Sequence, residues 1–115
     1  MINNEGSKFV VLLCTTGSLD EASNISEHLV GNHLVACVNI IPGIRSVFWW
    51  NNKVQHDNEC LMIIKTEESR IPDIERSIRL LHSYENPELI AFPVQYGRPE
   101  YLSWIAQSLA VRDEP

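Results

Sequence analysis

The side chains best suited to bind a soft metal ion or to act as nucleophiles are three cysteines, each alone in an apolar segment. Cys14, Cys37 and Cys60 lie far apart, and no two of them form a CxxC pair. Disulfide frameworks and structural zinc sites use closely or regularly spaced cysteines instead. The odd number and the spacing indicate reduced thiols, a cytoplasmic location and cysteines that serve as small buried hydrophobic residues.

No known catalytic motif is present among the other polar residues. The sequence contains no Ser-His-Asp order, no glycine-rich phosphate loop and no HExxH motif. We therefore predict that the protein is not an enzyme. Three of the four histidines, His28, His33 and His56, are expected to be solvated at the surface.

Charge and composition exclude several classes of partner. The chain of 115 residues has 9 Lys and Arg against 15 Asp and Glu, and this net charge of −6 repels a phosphate backbone, so no nucleic-acid partner is expected. No apolar run approaches the roughly 20 residues of a membrane span, and the first residues lack the pattern of a secretory signal. We predict a single domain over residues 1–115, with a core at about residues 8–110 and mobile polar tails at 1–7 and 111–115.

Hydrophobic patterns predict the elements that must position these side chains. KFVVLLCT is an apolar run typical of a strand buried on both faces, and Ser18 with Glu21 forms a capping box that opens a helix. The order that follows is β-α-β-β-α-β with a further helix at the C-terminal end. The predicted strands cover residues 8–15, 34–43 with an extended continuation, 59–66 and 86–94, and the helices cover residues 18–30, 69–81 and 97–109.

This order is that of an α+β, ferredoxin-like split βαβ protomer, in which two helices cover one sheet face. An aromatic run, Val47 to Trp50, is followed by Asn51 and Asn52, which tolerate the positive φ angles of a hairpin turn. The sequence thus predicts an extended β-hairpin arm that the helices cannot cover. Since large exposed apolar patches usually mark interfaces, we expect this arm to be buried against other copies of the chain.

Five segments resemble the CutA family of divalent-cation tolerance proteins in order and spacing. They are LLCTTGSLDEA, LVACVNIIPGIRSVFWWNNKV, ECLMIIKT, HSYENPELIAFPV and YLSWI, and they extend from about Phe9 to Leu109. The resemblance implies a homotrimer of ferredoxin-like protomers with a PII-like architecture. The chain departs from the family at Asn51-Asn52, where many members read Glu-Gly, and at Ser83, where many read Pro.

The resemblance also implies a metal site, at Cys14 and His82, for Cu(II) or another divalent metal that is not required for folding. Thiolate and imidazole are the ligands that such metals prefer. Some bacterial relatives have two consecutive histidines here, whereas this chain has Leu81-His82. The alternative is a half-buried cysteine and a histidine favoured by the dipole at a helix end. Because Cys14 stands where an apolar strand is predicted to run out, we expect it to be the most accessible thiol.

A second group of positions matches residues that recur in the family near the subunit boundary. Lys65 interrupts the apolar segment LMIIKT, so its ammonium group requires a carboxylate, and Glu59 and Glu88 are the candidates. The group is either an ion pair that fixes the register of the trimer or a small-ligand pocket with aromatic walls. Its members are Cys37, Trp50, Glu59, Lys65, Tyr84 and Glu88.

The function implied by the resemblance is divalent-cation tolerance by a homotrimer that binds or responds to a metal such as copper. Two alternatives remain open. One is a PII-like sensor of a small metabolite, and the other is a structural trimer without catalytic activity. The net charge of −6 favours cations over anions but leaves all three possibilities open.

Overall fold

The computed structural model describes residues 8–110, which form four strands and three α-helices. Its mixed α+β order, β-α-β-β-α-β followed by a helix, confirms the predicted order of elements. The elements are β1 (Phe9–Thr16), α1 (Leu19–Gly31), β2 (Cys37–Trp50), β3 (Lys53–Glu67), α2 (Ile71–Leu81), β4 (Ile90–Pro93) and α3 (Pro99–Leu109), with a short 3₁₀ helix (Glu68–Arg70) before α2.

The four strands form one antiparallel sheet in the order β2-β3-β1-β4. Each β-α-β connection therefore passes over an intervening strand, since β3 lies between β1 and β2, and β1 lies between β3 and β4. This arrangement leaves β2 and β4 as the edge strands. Pro93 lies within β4, where an edge tolerates a residue without an N–H donor.

Helices α1 and α2 cover one face of the sheet, which we call the covered face. Alternate residues of β1 and β3 point into this face, so the burial pattern along β1 has a period of two. Ser18 caps α1, because its hydroxyl accepts the Glu21 N–H at 3.1 Å as the capping box predicts. The main core consists of buried residues from these four elements, including Leu12, Cys14, Ile25, Leu29, Met62, Ile64, Ile74 and Ile78.

The opposite face of the sheet, which we call the open face, carries the other alternate residues of the same strands. Cross-strand pairs such as Leu13 with Ile63 lie on it, and both residues are only partly buried. Helix α3 covers one corner, where Ile105 and Leu109 form a small cluster with Ala36 and Phe9. The rest is accessible and largely apolar, although Lys65 and Asn39 also lie on it; Phe92 of β4, for example, is 50% exposed.

The long strands β2 and β3 continue beyond the sheet as the predicted hairpin arm, residues 44–59. A register shift between Ile41 and Ile44 marks its base, where Gly43 adopts a φ of 76°. Asn51 and Asn52 have φ angles of 54° and 62° at its tip, which confirms the predicted turn. The aromatic side chains are exposed within one protomer, and Trp49 reaches 67%.

Several boundaries differ from the sequence prediction. Strand β1 is shifted by one residue, β2 begins at Cys37 rather than at residue 34, and β3 covers Lys53–Glu67 rather than residues 59–66. The last strand covers only Ile90–Pro93 rather than residues 86–94, since the preceding residues form a loop that follows α2. Helix α2 begins at Ile71 after a 3₁₀ turn, with Pro72 in its first turn where the missing N–H has no cost. The third helix begins at Pro99 rather than at residue 97 for the same reason. The tails predicted to be mobile, residues 1–7 and 111–115, lie outside the described residues.

Candidate functional site

The candidate site lies where α2 ends and its following loop, residues 82–84, packs against the end of β1. His82 is the first residue of this loop, and its side chain is fully buried. Its Nδ1 atom accepts the Tyr84 N–H at 3.1 Å, so the ring proton must be on Nε2, which donates to the Thr15 carbonyl at 2.7 Å. Both ring nitrogens are thus engaged with the protein backbone.

Cys14 lies on the covered face and is 0% exposed, so the prediction that it is the most accessible thiol is wrong. The physical reason is that β1 continues for two residues beyond Cys14 and pairs it with Met62. Burial raises the pKa of the Cys14 thiol to about 12, and the nearby carboxylates of Glu88, Glu21 and Glu59 add to the increase. All three cysteines are free, as predicted, and Cys37 is the most exposed of them.

The donor atoms of Cys14 and His82, as arranged here, do not fit a metal ion. Ligation needs a thiolate and a ring nitrogen with a free lone pair. The high pKa of Cys14 opposes the thiolate, and the Tyr84 N–H occupies the lone pair of His82 Nδ1. Within residues 8–110, no three His, Cys, Asp or Glu side chains are grouped to hold a metal. Ligation by this pair therefore stays a prediction that would require the loop to open.

Glu21 holds the same loop, and the sequence prediction missed this role. Its carboxylate accepts the Ser83 N–H at 2.6 Å and lies 3.2 Å from the Ser83 hydroxyl. Burial opposes ionisation of Glu21, but the two hydrogen bonds from Ser83, together with one from the Gly17 backbone, outweigh it, so its pKa lies below the usual value. This role was missed because Glu21 had been assigned only to the capping box of α1. A proline at position 83 could not donate this N–H.

Tyr84 connects the loop to the base of the arm. Its hydroxyl donates to Glu59 Oε2 at 2.7 Å, and its ring lies 4.7 Å from the His82 ring, centroid to centroid. The hydroxyl approaches Gly17 so closely that a side chain there would meet it at 3.2 Å. Burial and the bond to Glu59 raise the pKa of Tyr84, while burial and the charge of Glu59 raise the pKa of Glu88. Three members of the predicted group, Glu59, Tyr84 and Glu88, therefore lie together.

The other three members of that group lie elsewhere. Lys65 donates to Asn39 Oδ1, and its cross-strand neighbour on β2 is Cys37. Since Glu59 is six residues away along the same strand, about 20 Å at 3.3 Å per residue, the predicted ion pair does not form inside one protomer. None of the ion pairs within residues 8–110 includes Lys65. Trp50 lies at the tip of the arm.

The remaining histidines are at the surface, as predicted. His28, His33 and His56 are all exposed and bond to neighbouring polar groups. His28 Nε2 lies 3.2 Å from the Ser77 hydroxyl, which resembles a serine–histidine pair. The Asn32 amide, however, lies 3.5 Å from His28 Nδ1, and it makes Nδ1 the acceptor, so Nε2–H donates to the serine. A ring in that state is no base for the Ser77 hydroxyl.

Comparison with known proteins identifies the family to which these features belong. The sequence profile described as "CutA1 divalent ion tolerance protein" matches residues 10–108. The chain belongs to the CutA1 family. Its CutA1 match thus includes the loop at residues 82–84, both long strands of the arm and most of α3.

Individual CutA proteins are similar in sequence to this chain over most of its length. It is 39% identical over 99 residues to "Protein CutA 1, chloroplastic" of rice, covering 86% of this chain and 56% of the rice protein. It is 38% identical over 98 residues to the "Divalent-cation tolerance protein CutA" of Thermus thermophilus, covering 85% and 95%. The structure of CutA1 from Oryza sativa matches with a TM-score of 0.87 at 37% identity, covering 91% of this chain and 96% of that one.

The chain spans only about half the length of some relatives that it matches, 56% of the rice protein and 49% of the mouse protein. The family description names a tolerance protein and not a catalyst, which agrees with the prediction that the chain is not an enzyme. Separately, none of the helices between residues 8 and 110 is both long and apolar enough to cross a bilayer.

Proposed function

We propose that the protein serves divalent-cation tolerance in the cytoplasm as a homotrimer of ferredoxin-like protomers with PII-like packing. The observation that supports the trimer is the amount of apolar surface that one protomer leaves uncovered. Val47, Trp49 and Val54 on the arm and Phe92 on the open face are each at least 50% exposed. Soluble monomers rarely expose contiguous patches of this kind.

The open edges of the sheet support association as well. Both edge strands, β2 and β4, present backbone groups on their outer sides that no other strand of the described chain pairs. When one surface of a chain meets a different surface of the next copy, the contact generates a ring if the rotation closes. A three-membered ring would bury the arm, the open face and Lys65 with its neighbours.

Sedimentation velocity at micromolar concentration tests the trimer directly. The expected result is one species with three times the mass of the chain, because burial of several aromatic side chains favours association strongly. A wild-type protein that sediments as a monomer contradicts the proposal.

The proposed metal response is tested by titrating Cu(II) and Zn(II) into metal-stripped protein. If Cys14 and His82 are ligands, Cys14→Ser and His82→Ala should each weaken binding at least tenfold, about 1.4 kcal/mol. The affinity should also fall in acidic solution, because protons compete with the metal for both ligands. A His28→Ala/His33→Ala variant is the matched control for capture by surface histidines. If that control alone loses copper, the Cys14–His82 site is refuted.

A structural trimer without a metal site is the second candidate, and the state of His82 favours it. A buried imidazole that bonds two backbone groups already has a role in holding the loop to β1. In this case Cu(II) titration gives no site-specific effect, while His82→Ala lowers the melting temperature of the trimer. The remaining alternative is a small-metabolite sensor, which is tested by adding nucleotides to the same stripped protein. The carboxylates of Glu21, Glu59 and Glu88 disfavour the binding of anionic ligands near this loop.

A further inference from the structure

A cavity of about 390 Å³ lies at the edge of the covered face, between α2, β4 and the loop that joins them. Its floor is apolar and includes Leu12, Ile78 and Leu89, of which the first two are almost completely buried. This volume falls within the usual range for small-molecule sites, about 300–1,000 Å³. The cavity is separate from the loop at residues 82–84 and from the arm, and the functions proposed above do not use it.

Charged side chains of both signs stand at the rim of this cavity. Glu75 and Arg79 project from α2, and Glu85 projects from the loop. The two helical residues have the i, i+4 spacing at which ion pairs often form. Nevertheless, the ion pairs and side-chain hydrogen bonds found across residues 8–110 include none of these three residues.

An apolar floor combined with a rim that carries both signs of charge restricts the kind of ligand that the cavity can hold. An apolar floor selects a hydrophobic group, while a guanidinium recognises a carboxylate and a carboxylate recognises an ammonium group. A ligand with only one charge would leave one part of the rim without a partner. A zwitterion with an apolar side chain matches all three features.

We infer that this cavity, between α2 and β4, is a binding site for a free α-amino acid with a branched apolar side chain. The side chain enters between Ile78 and Leu89, the carboxylate faces Arg79, and the ammonium group faces Glu75 and Glu85. This inference does not depend on the metal site or on the trimer.

The experiment follows the Ile71 and Ile78 methyl resonances of the intact protein by NMR during titration with L-leucine. These two residues line the cavity, so a saturable shift of both reports occupancy. Arg79→Gln should weaken binding about threefold or more, the scale expected for a partly exposed charge pair. Arg76→Gln is the matched control, because Arg76 lies on the same helix and pairs with Asp73 at 2.7 Å outside the cavity.

Two analogues separate the charge contributions. 4-Methylpentanoic acid lacks the ammonium group, so it should bind more weakly and lose sensitivity to Glu75→Gln and Glu85→Gln. 3-Methylbutylamine lacks the carboxylate, so it should bind more weakly and lose sensitivity to Arg79→Gln. The inference is overturned if L-leucine gives no saturable shift at millimolar concentration, if both analogues bind as tightly as L-leucine, or if Arg76→Gln weakens binding as much as Arg79→Gln.

Discussion

The two faces of the sheet are built from the same strands and are both largely apolar, yet they differ in what covers them. On the covered face, Leu12 and Ile64 pair across β1 and β3 and are completely buried beneath two helices. Their immediate neighbours, Leu13 and Ile63, pair on the open face and remain partly accessible. Alternation along a strand sends neighbours to opposite faces, so both faces need cover.

This protomer completes one hydrophobic core by itself and leaves the open face only partly covered. Helices α1 and α2 cover that core, whereas α3 reaches only the corner of the open face beside Phe9. The arm continues the uncovered surface far beyond the helices. Stability of the covered face should therefore depend on the single chain, and stability of the open face and the arm should depend on association.

The largest expected effect comes from removing an aromatic residue of the arm. Trp50→Ala should cost the assembly about 3–5 kcal/mol per chain, the usual loss for a buried large aromatic side chain, and shift the mass toward monomer in sedimentation. Leu80→Ala is the control, because Leu80 is 78% exposed on α2 and surface changes are usually within about 0.5 kcal/mol. Equal effects of the two changes would remove the distinction between the arm and ordinary surface.

Neighbouring residues of β3 allow the two faces to be compared directly. Ile64→Ala should lower the free energy of unfolding by about 2–5 kcal/mol in urea, because it leaves a cavity beneath the helices. Ile63→Ala removes the same atoms from the open face and should mainly increase dissociation on dilution. If Ile63→Ala leaves the association state unchanged, the open face is not an interface.

The difference between the covered face and the open face should also appear in the rates at which the three thiols are labelled without denaturant. Cys14 should react last, since burial raises its pKa to about 12 and leaves almost no thiolate near pH 8. Cys37 lies on the open face, so it should be protected in the wild-type assembly and react first in Trp50→Ala. Mass spectrometry of the labelled peptides gives the order. Labelling of Cys14 ahead of Cys37 in the dissociated variant would contradict the assigned faces.

The smallest expected effect concerns two carboxylates at the end of the sheet, whose pKa shifts have opposite signs. The Glu21 pKa is lowered, so its stabilisation is present above the unfolded value of 4.5 and is lost as the pH falls through the folded pKa. The Glu88 pKa is raised by burial and by Glu59, so its ionisation destabilises the fold as the pH rises above 4.5.

Urea unfolding of Glu21→Gln and Glu88→Gln between pH 4 and 7 tests these signs. Glu21→Gln should lose stability relative to wild type mainly at the upper end of this range. Glu88→Gln should gain stability there, because an amide has no charge to bury. Parallel pH profiles for the two variants would show that the environments of Glu21 and Glu88 do not differ as described.

Much of the fold could be predicted from local patterns. The Ser18 cap, the Asn51-Asn52 turn and the order of the elements depend on residues close together in the chain, and all three predictions were confirmed. The extent of β4 could not be predicted, because apolar residues continue beyond both ends of the strand, at Leu89 and at Val94. What limits β4 is the pairing of only four residues with β1.

The candidate site was only partly predictable, because its contacts join distant parts of the chain. Glu21 meets Ser83 across 62 positions, and Tyr84 meets Glu59 across 25, so no spacing rule indicates either contact. The accessibility of Cys14 was mispredicted because the residue was placed where β1 runs out, whereas β1 continues to Thr16 and alternation along the strand turns the Cys14 side chain into the covered face.

Local sequence patterns are enough to predict that both faces of the sheet are largely apolar and that the hairpin closes at two asparagines, since alternation and φ preference are local properties. Which face the helices cover, and which nitrogen of His82 carries the proton, follow from the folded structure. The contact of Lys65 with Asn39 rather than with a carboxylate of its own protomer follows from it as well. These outcomes depend on how α1, α2 and the loop at residues 82–84 pack on the sheet, and packing between distant segments leaves no pattern in the order of residues.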